Sequence, residues 1–372
     1  MTLKTTAPRA AGWTRAQIEA DPGWTVRLSA AEIAGFEAGL DSARRSGRAL
    51  FALSRSDFAF GAAALARLRA TVAETQQGRG FQLTRGLPVE RWSVDDARLL
   101  FWGVGLHLGV PRPQGKASLF MSDVRDAGGT YRSTAGRGYN TRSALDFHAD
   151  GSDLVGLMCL RTARAGGESL ISSSLAAHAA MQAERPDLVR ELHGLFTFSR
   201  QGEQAPEEPP YYQASIFGLR DGRLACRHIR NHVRSAQLSF PEVPRLTDAQ
   251  REALDYFDAV LLRPELCFRM DFEPGDMQWI DNHTVLHSRT DYEDFDEPER
   301  QRHLLRLWIA SPDAPALPEA WADAYKDVSA RAVRGGFRGI GISPEIEAFE
   351  RRLADEHDMA FRIYADRQGV NT

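Results

Sequence analysis

Residues 145–174 read LDFHADGSDLVGLMCLRTARAGGESLISSS and decide the fold that we expect. Two short apolar runs, at 152–163 and 168–174, are separated by Ala, Gly and Gly. Similar runs recur up to residue 310, among them LCFRMDF, DMQWIDN and RHLLRLWIA. Many short strands separated by turn residues are typical of a β-sandwich or barrel. We therefore predict a mainly β protein with flanking helices and a jelly-roll (double-stranded β-helix) core at about 145–310.

The flanking helices are predicted mainly on the N-terminal side of this core. Residues 29–47 (SAAEIAGFEAGLDSARRSG) begin with a Ser cap, have Glu three residues later and end in Gly, which together mark a helix. Further helices are expected at Phe58–Gln76, Ser93–Leu108 and Leu246–Leu262, and a strand is expected at Gly80–Leu87. A doubly wound α/β fold is less favoured, because the strands come in runs and no G-x-G-x-x-G follows a strand.

Two segments do not read as helix or strand. Residues 1–25 are rich in Thr, Ala, Pro and Gly, and we expect an extended arm or a short leading segment there. Residues 112–143 are dense in Gly, Ser, Arg and Asp, and they include Tyr131, Arg132, Arg137 and Tyr139. Since long loops in compact domains are usually functional, we predict a lid in this region. Residues 26–372 are expected to form a single domain.

Composition excludes several classes of protein. The chain has 372 residues and a formal net charge of −4, with no long block of like charge, so nothing favours a nucleic-acid partner. No run of 18 apolar residues occurs, and we expect no membrane span. The three cysteines, Cys159, Cys226 and Cys267, lie in apolar runs without a C-x-x-C pair. Reduced thiols in a cytoplasmic protein are the expected reading.

The sharpest chemical motif is His-Ala-Asp, with His148 and Asp150. On a strand, residues i and i+2 point to the same face, so the imidazole and the carboxylate would lie side by side. That arrangement suits two neighbouring positions on one metal ion. An ordinary solvated His–Asp pair is the alternative, and the motif alone does not exclude it.

A third ligand is sought in DMQWIDNHTVLHSRTDYED, which contains His283 and His287. His287 ends a short apolar segment and is our choice to complete a face of two histidines and one carboxylate. His283 follows Asp-Asn, a turn pattern, and is expected on the surface or behind the ligands. Read as a helical zinc pair, H-x-x-x-H lacks the Glu of H-E-x-x-H and has poor helix formers around it.

Two arginines, Arg302 and Arg306, share one face of the predicted strand RHLLRLWI. Buried arginines are costly unless an anion meets them, and the planar guanidinium suits a carboxylate. Ion pairs with the acidic loop at 291–299 are the structural alternative.

Taken in order, H-A-D, a distal His and R-x-x-x-R resemble the taurine dioxygenase / clavaminate synthase-like family of iron(II)- and 2-oxoglutarate-dependent oxygenases. The resemblance covers about residues 145–310. It implies that His148, Asp150 and His287 bind iron(II), and that Arg302 binds the distal carboxylate of 2-oxoglutarate. It also implies a hydroxyl contact to that carboxylate from a G-G-[DE]-[ST] step, which is Ser169 here. The alternative for Ser169 is an exposed strand hydroxyl.

The resemblance implies an enzyme that hydroxylates a C–H bond of a small polar metabolite with dioxygen, releasing succinate and CO2. Arg306 would lie near the cosubstrate or the substrate. Taurine dioxygenase has an Asn for its substrate where this chain has Ala144, so taurine is doubtful. Desaturation, cyclisation and oxidative cleavage remain open. So do a zinc hydrolase and a non-enzymatic metal-binding jelly roll, although Arg302 and Ser169 speak against the last. A retained Asp150 argues against a halogenase.

Substrate residues are harder to place. Tyr139 belongs to the predicted lid, and Arg230 and His232 would share a face if CRHIRNHVR were a strand. One of these side chains could meet an anionic substrate group. For Arg230 and His232, a solvated basic edge or the start of a helix is the favoured interpretation.

Overall fold

The structure is a computed structural model that describes residues 12–129, 131 and 138–362. Arg132 and Arg137 of the predicted lid lie outside the described residues. Ten helices are found in the described ranges: α1 (Arg15–Ala20), α2 (Ala30–Ser46), α3 (Ala62–Gln77), α4 (Val94–Leu108), α5 (Ser174–Glu184), α6 (Pro186–Leu192), α7 (Arg230–Ser239), α8 (Asp248–Leu261), α9 (Ala322–Tyr325) and α10 (Pro344–Glu356).

The same ranges contain sixteen short strands. They are β1 (Thr25–Arg27), β2 (Phe81–Arg85), β3 (Val110–Pro111), β4 (Met121–Val124), β5 (Leu154–Arg161), β6 (Ala165–Gly166), β7 (Ser169–Ser173), β8 (Leu195–Ser199), β9 (Tyr211–Ser215), β10 (Phe217–Arg220), β11 (Arg223–Cys226), β12 (Phe268–Met270), β13 (Met277–Asp281), β14 (Val285–Arg289), β15 (Tyr292–Glu293) and β16 (His303–Ala310).

Two sheets form the centre of the fold. The larger has seven strands in the order β1-β2-β13-β5-β16-β3, and β4 also pairs with β16. The smaller has the order β12-β7-β14. Side chains from both sheets meet in one buried cluster, to which Val155 and Trp308 contribute from the larger sheet and Ile171 and Val285 from the smaller. The two sheets therefore pack face to face as a sandwich of the jelly-roll kind.

Helices cover the other face of the larger sheet. A second apolar cluster joins Phe36 of α2, Phe101 of α4 and Phe349 of α10 to Met158 and Leu305 of the sheet. The predicted capping of α2 is present, because Ser29 and Glu32 form a capping box and Gly47 ends the helix with φ of 61°. Because these helices cover the outer face of the larger sheet, a binding cavity can lie only on its inner face, between the two sheets.

The prediction of a mainly β chain does not describe the molecule as found, since 39% of the described residues are helical and 22% are in strands. The surplus comes largely from α5, α6 and α10, which the sequence reading missed. Their start patterns were present: Ser173 caps α5, and α10 has a Ser343 cap, Pro344 in its first turn and an acidic first turn. Short apolar runs favoured the prediction of strands over that of helices.

Other boundaries also differ from expectation. The segment 15–20 of the expected arm is a helix, and Trp13 beside it is buried. The larger sheet takes four strands, β1 to β4, from before residue 145, so the core extends beyond 145–310. Because β4 pairs with β16, residues 121–124 of the predicted lid belong to the sheet. The described helices include none long and apolar enough to cross a membrane.

Candidate active site

The residues of the His-Ala-Asp motif and His287 converge on one point. Side-chain donor atoms of His148, Asp150 and His287 all lie within 4.8 Å of one another. In the described ranges no other group of three or more His, Cys, Asp or Glu side chains is so arranged. Two imidazoles and one carboxylate on one side of a point are the donor set of non-haem iron(II) oxygenases.

Backbone pairing brings this group together. His148 is not in a regular strand as predicted, but forms isolated bridges to His287 and Ile229. On the other side of the motif, the backbone N–H of Asp150 donates to Oδ1 of Asn282 at 3.0 Å. Asn282 lies in the turn between β13 and β14, so the hairpin that carries His287 also holds Asp150. The sequence reading gave Asn282 no role.

Hydrogen bonding fixes the tautomer of His148. Its Nδ1 lies 2.9 Å from the carbonyl oxygen of Asp146, which can only accept, so Nδ1 carries the proton. Nε2 then offers a lone pair, the usual arrangement for a metal-binding histidine. Nε2 of His287 faces Asp150, 3.8 Å from Oδ2.

The charge states of the three side chains suit a divalent cation. Burial lowers the pKa of His287 to about 3, with a smaller effect from His148, and burial also lowers the pKa of His148. Burial alone would raise the pKa of Asp150, but opposing effects, of which the charge of Arg306 is the largest, bring that pKa below its ordinary value. Both imidazoles are therefore neutral and the carboxylate is charged near neutral pH.

Arg306 is held by the site rather than by the acidic loop at 291–299. Its Nη1 lies 3.3 Å from Oδ1 of Asp150, and its Nε donates to Oε1 of Gln114 at 2.8 Å. Its guanidinium also lies 5.1 Å from the ring centre of Tyr139. Gln114 was not singled out from the sequence, and it fixes the orientation of Arg306.

Arg302 lacks an anionic partner. It is 5% exposed, and its Nη1 is buried without a hydrogen-bond partner. Within the described ranges no carboxylate forms an ion pair with it, and burial lowers its pKa. Because a buried, unpaired guanidinium is costly, the position suits a bound carboxylate.

The Gly-Gly step before Ser169 makes room for Arg302. Gly166 and Gly167 have φ of 73° and 77°, which favours glycine. A Cβ on Gly167 would lie 3.2 Å from Nε of Arg302. Ser169 is 5% exposed, so its hydroxyl is not an exposed strand group.

The nine side chains proposed from the sequence as metal ligands, cofactor contacts or substrate contacts line a single cavity: Tyr139, His148, Asp150, Ser169, Arg230, His232, His287, Arg302 and Arg306. Arg230 and His232 lie in the first turn of α7, as the helix-start alternative expected, and not on a strand. Residues two apart on a helix do not share a face. Arg230 is also paired with Asp255 and Asp258 of the neighbouring helix α8.

His283 lies in the turn as predicted, but it is not on the surface. It is 4% exposed, and its Nε2 lies 2.9 Å from Oδ1 of Asp153. Asp153 also accepts a hydrogen bond from Nε of Arg334 at 2.8 Å. This buried ion pair keeps His283 away from the His148–Asp150–His287 group.

Comparison with known proteins agrees with this geometry. Residues 46–308 match the model of the taurine catabolism dioxygenase TauD, TfdA family. The chain belongs to this family. It is also 34% identical to FR-33289 synthase of Streptomyces rubellomurinus (strain ATCC 31215), over 82% of this chain and 91% of that protein. It is therefore an oxidoreductase, and its cofactors are iron(II) and the cosubstrate 2-oxoglutarate.

Solved structures show the same fold at low identity. Asparagine oxygenase in complex with Fe(II), 2S,3S-3-hydroxyasparagine and succinate matches with a TM-score of 0.59 and 18% identity, covering 77% of this chain and 93% of that one. The non-haem iron oxygenase OrfP with Fe and alpha-ketoglutaric acid matches with a TM-score of 0.57 and 16% identity, covering 77% of this chain and 93% of that one.

Proposed function

We propose that this oxygenase hydroxylates a C–H bond of a small anionic metabolite, using His148, Asp150 and His287 as its iron ligands. The observation that carries the proposal is that these three side chains share one cavity with Arg302, a buried guanidinium for which the described residues offer no paired carboxylate. Arg302 and Ser169 would bind the distal carboxylate of 2-oxoglutarate. When bound, iron(II) and 2-oxoglutarate supply the oxidising chemistry, with succinate and CO2 as coproducts.

The chain's own residues prepare the site for this chemistry. The carbonyl of Asp146 orients the ring of His148, and the charge of Arg306 keeps Asp150 ionised. The apolar side chains of the cavity exclude water from the reacting groups: Val124, Leu157, Phe272, Leu304 and Phe337. The protein thus contributes orientation, charge and a dry pocket.

Charge supports an anionic substrate. The cavity is lined by four arginines, Arg230, Arg289, Arg302 and Arg306, against the two carboxylates of Asp146 and Asp150. Iron(II) adds two positive charges, and 2-oxoglutarate brings two negative ones. Even with Arg230 neutralised by α8, a positive surplus remains, and it favours a negatively charged group on the substrate. The asparagine oxygenase complex, which holds a hydroxylated amino acid and succinate, supports hydroxylation as the outcome.

The test is succinate release from 2-oxoglutarate by the iron-loaded enzyme, screened against matched pairs of metabolites. Each pair consists of a carboxylate or phosphate compound and its neutral amide or ester. We expect only anionic members to stimulate release and to gain one oxygen atom. Stimulation by the neutral members alone would exclude an anionic substrate, and loss of two hydrogens would identify desaturation. An Asp150→Ala variant, which lacks one metal ligand, is the control for succinate release that does not depend on the metal site.

A further inference from the structure

Arg289 is a second buried guanidinium beside the predicted cosubstrate site, and the sequence reading gave it no role. It ends β14, two residues after His287, so both side chains point to the same face of the strand. It is paired in register with Ser169 of β7. Residues paired across antiparallel strands have Cβ atoms about 5 Å apart, so Arg289 and Ser169 are direct neighbours on the cavity side.

Arg289 and Arg302 flank one aromatic ring. The guanidinium of Arg289 lies 4.8 Å from the ring centre of Tyr292, and that of Arg302 lies 5.1 Å from it. Both arginines line the cavity and both are 5% exposed. Two cations held this close, away from water, repel each other unless an anion lies between them.

The hydrogen bonds of Arg289 leave one nitrogen unused. Nη2 donates to the carbonyl oxygens of Thr141 and Ser143 at 2.7 and 2.6 Å, and Nε donates to that of Thr290 at 3.3 Å. Nη1 is buried and finds no hydrogen-bond partner among the described residues, like Nη1 of Arg302. Within the described part of the chain, neither arginine forms an ion pair with a carboxylate.

We propose that Arg289 is a second cation for the distal carboxylate of 2-oxoglutarate, so that Arg289, Arg302 and Ser169 hold its two oxygens together. This proposal rests on the proposed function of the site. A carboxylate has enough lone pairs for both guanidiniums and the hydroxyl. The anion would remove the repulsion between the two cations and satisfy both unused Nη1 atoms.

The test uses two keto acids that differ only at their far end, 2-oxoglutarate and 2-oxopentanoate, which lacks the distal carboxylate. Their dissociation constants are measured by anaerobic titration of the iron(II)-loaded full chain, for the wild type and for Arg289→Met and Arg289→Gln. We expect each variant to bind 2-oxoglutarate at least about tenfold more weakly, with 2-oxopentanoate nearly unaffected. Arg302→Met should show the same selective loss.

Two results would overturn the proposal. One is unchanged affinity for 2-oxoglutarate in the Arg289 variants. The other is an equal loss for both acids, which would mean that Arg289 only holds the carbonyls of residues 141 and 143. The Gln variant keeps an amide donor, so it serves if the Met variant does not fold. Failure of the wild type itself to bind 2-oxoglutarate would instead contradict the proposed function.

Discussion

The backbones of His148 and His287 are hydrogen-bonded to each other in both directions, with both N–O distances at 3.0 Å. Their rings lie 4.3 Å apart between centres. This pairing joins the segment before β5 to the second strand of the β13–β14 hairpin. Two imidazoles that are distant in sequence are thereby fixed on one side of a cavity, where a carboxylate two residues from His148 can join them.

The close approach of Gly167 to Arg302 gives a prediction with an internal control. Gly167→Ala should lower the free energy of unfolding by about 1–2 kcal/mol through its φ of 77°, and should raise the KM for 2-oxoglutarate because the new Cβ displaces Arg302. Gly202 also has φ of 77°, but open space surrounds its Cβ position. Gly202→Ala should show the stability loss alone in thermal unfolding and steady-state kinetics. The same KM in both variants would contradict the assigned place of Arg302.

The hydroxyl of Ser169 is expected to contact the cosubstrate. Ser169→Ala should raise the KM for 2-oxoglutarate roughly 3- to 10-fold, the effect of losing one hydrogen bond, with little change in stability. Ser172 lies on the same strand, and its buried Oγ has no hydrogen-bond partner. Ser172→Ala should therefore leave that KM unchanged. An equal KM for 2-oxoglutarate in the two variants would contradict a contact between Ser169 and the cosubstrate.

Arg306 is expected to set the pH at which the iron site loses its carboxylate. Its charge is the largest of the effects that lower the pKa of Asp150. In Arg306→Met that pKa should rise, so the loss of iron(II) affinity on acidification should begin about one pH unit higher. Anaerobic calorimetry across pH measures this shift. Arg302→Met, which removes another cavity arginine, should leave the midpoint in place, and a shift of equal size there would refute a specific role for Arg306.

The two histidines should stay competent for iron at mildly acidic pH. Burial lowers the pKa of His287 to about 3 and also lowers that of His148, so neither imidazole takes up a proton at its ordinary value. Lowered pKa values preserve the neutral, metal-binding form as the pH falls. Iron(II) affinity should thus change little between pH 7 and about 5. Circular dichroism at each pH controls for unfolding, and a midpoint close to the ordinary histidine pKa would contradict the prediction.

The residues singled out from the sequence lie together in one cavity, whereas parts of the surrounding architecture differ from expectation. H-x-D spacing and R-x-x-x-R spacing are local properties of extended chain, so residues 148–150 and 302–306 could be singled out without knowing the fold. Asn282 and Gln114 could not, because each acts through a hydrogen bond to a residue far away in sequence. Arg289 could have been noticed, since it stands two residues after His287 in the same strand.

The differences between predicted and observed secondary structure have a common physical cause, which is contact between segments that are distant in sequence. In Arg230–Ser239 the basic and apolar residues fit a strand or a helix, and burial against neighbouring elements decided for α7. The pairing of β4 with β16 drew part of the predicted lid into the sheet, a long-range contact that composition does not reveal. The cap of α2, which is local, was predicted correctly.

The most direct test of the central claim is anaerobic titration of the metal-free protein with iron(II) in the presence of 2-oxoglutarate. We expect one iron per chain and a weak visible charge-transfer band. Separate His148→Ala, Asp150→Ala and His287→Ala variants should lose both, and His178→Ala, on helix α5 and away from the cavity, should retain them. If the three variants bound iron and 2-oxoglutarate as the wild type does, the site would lie elsewhere.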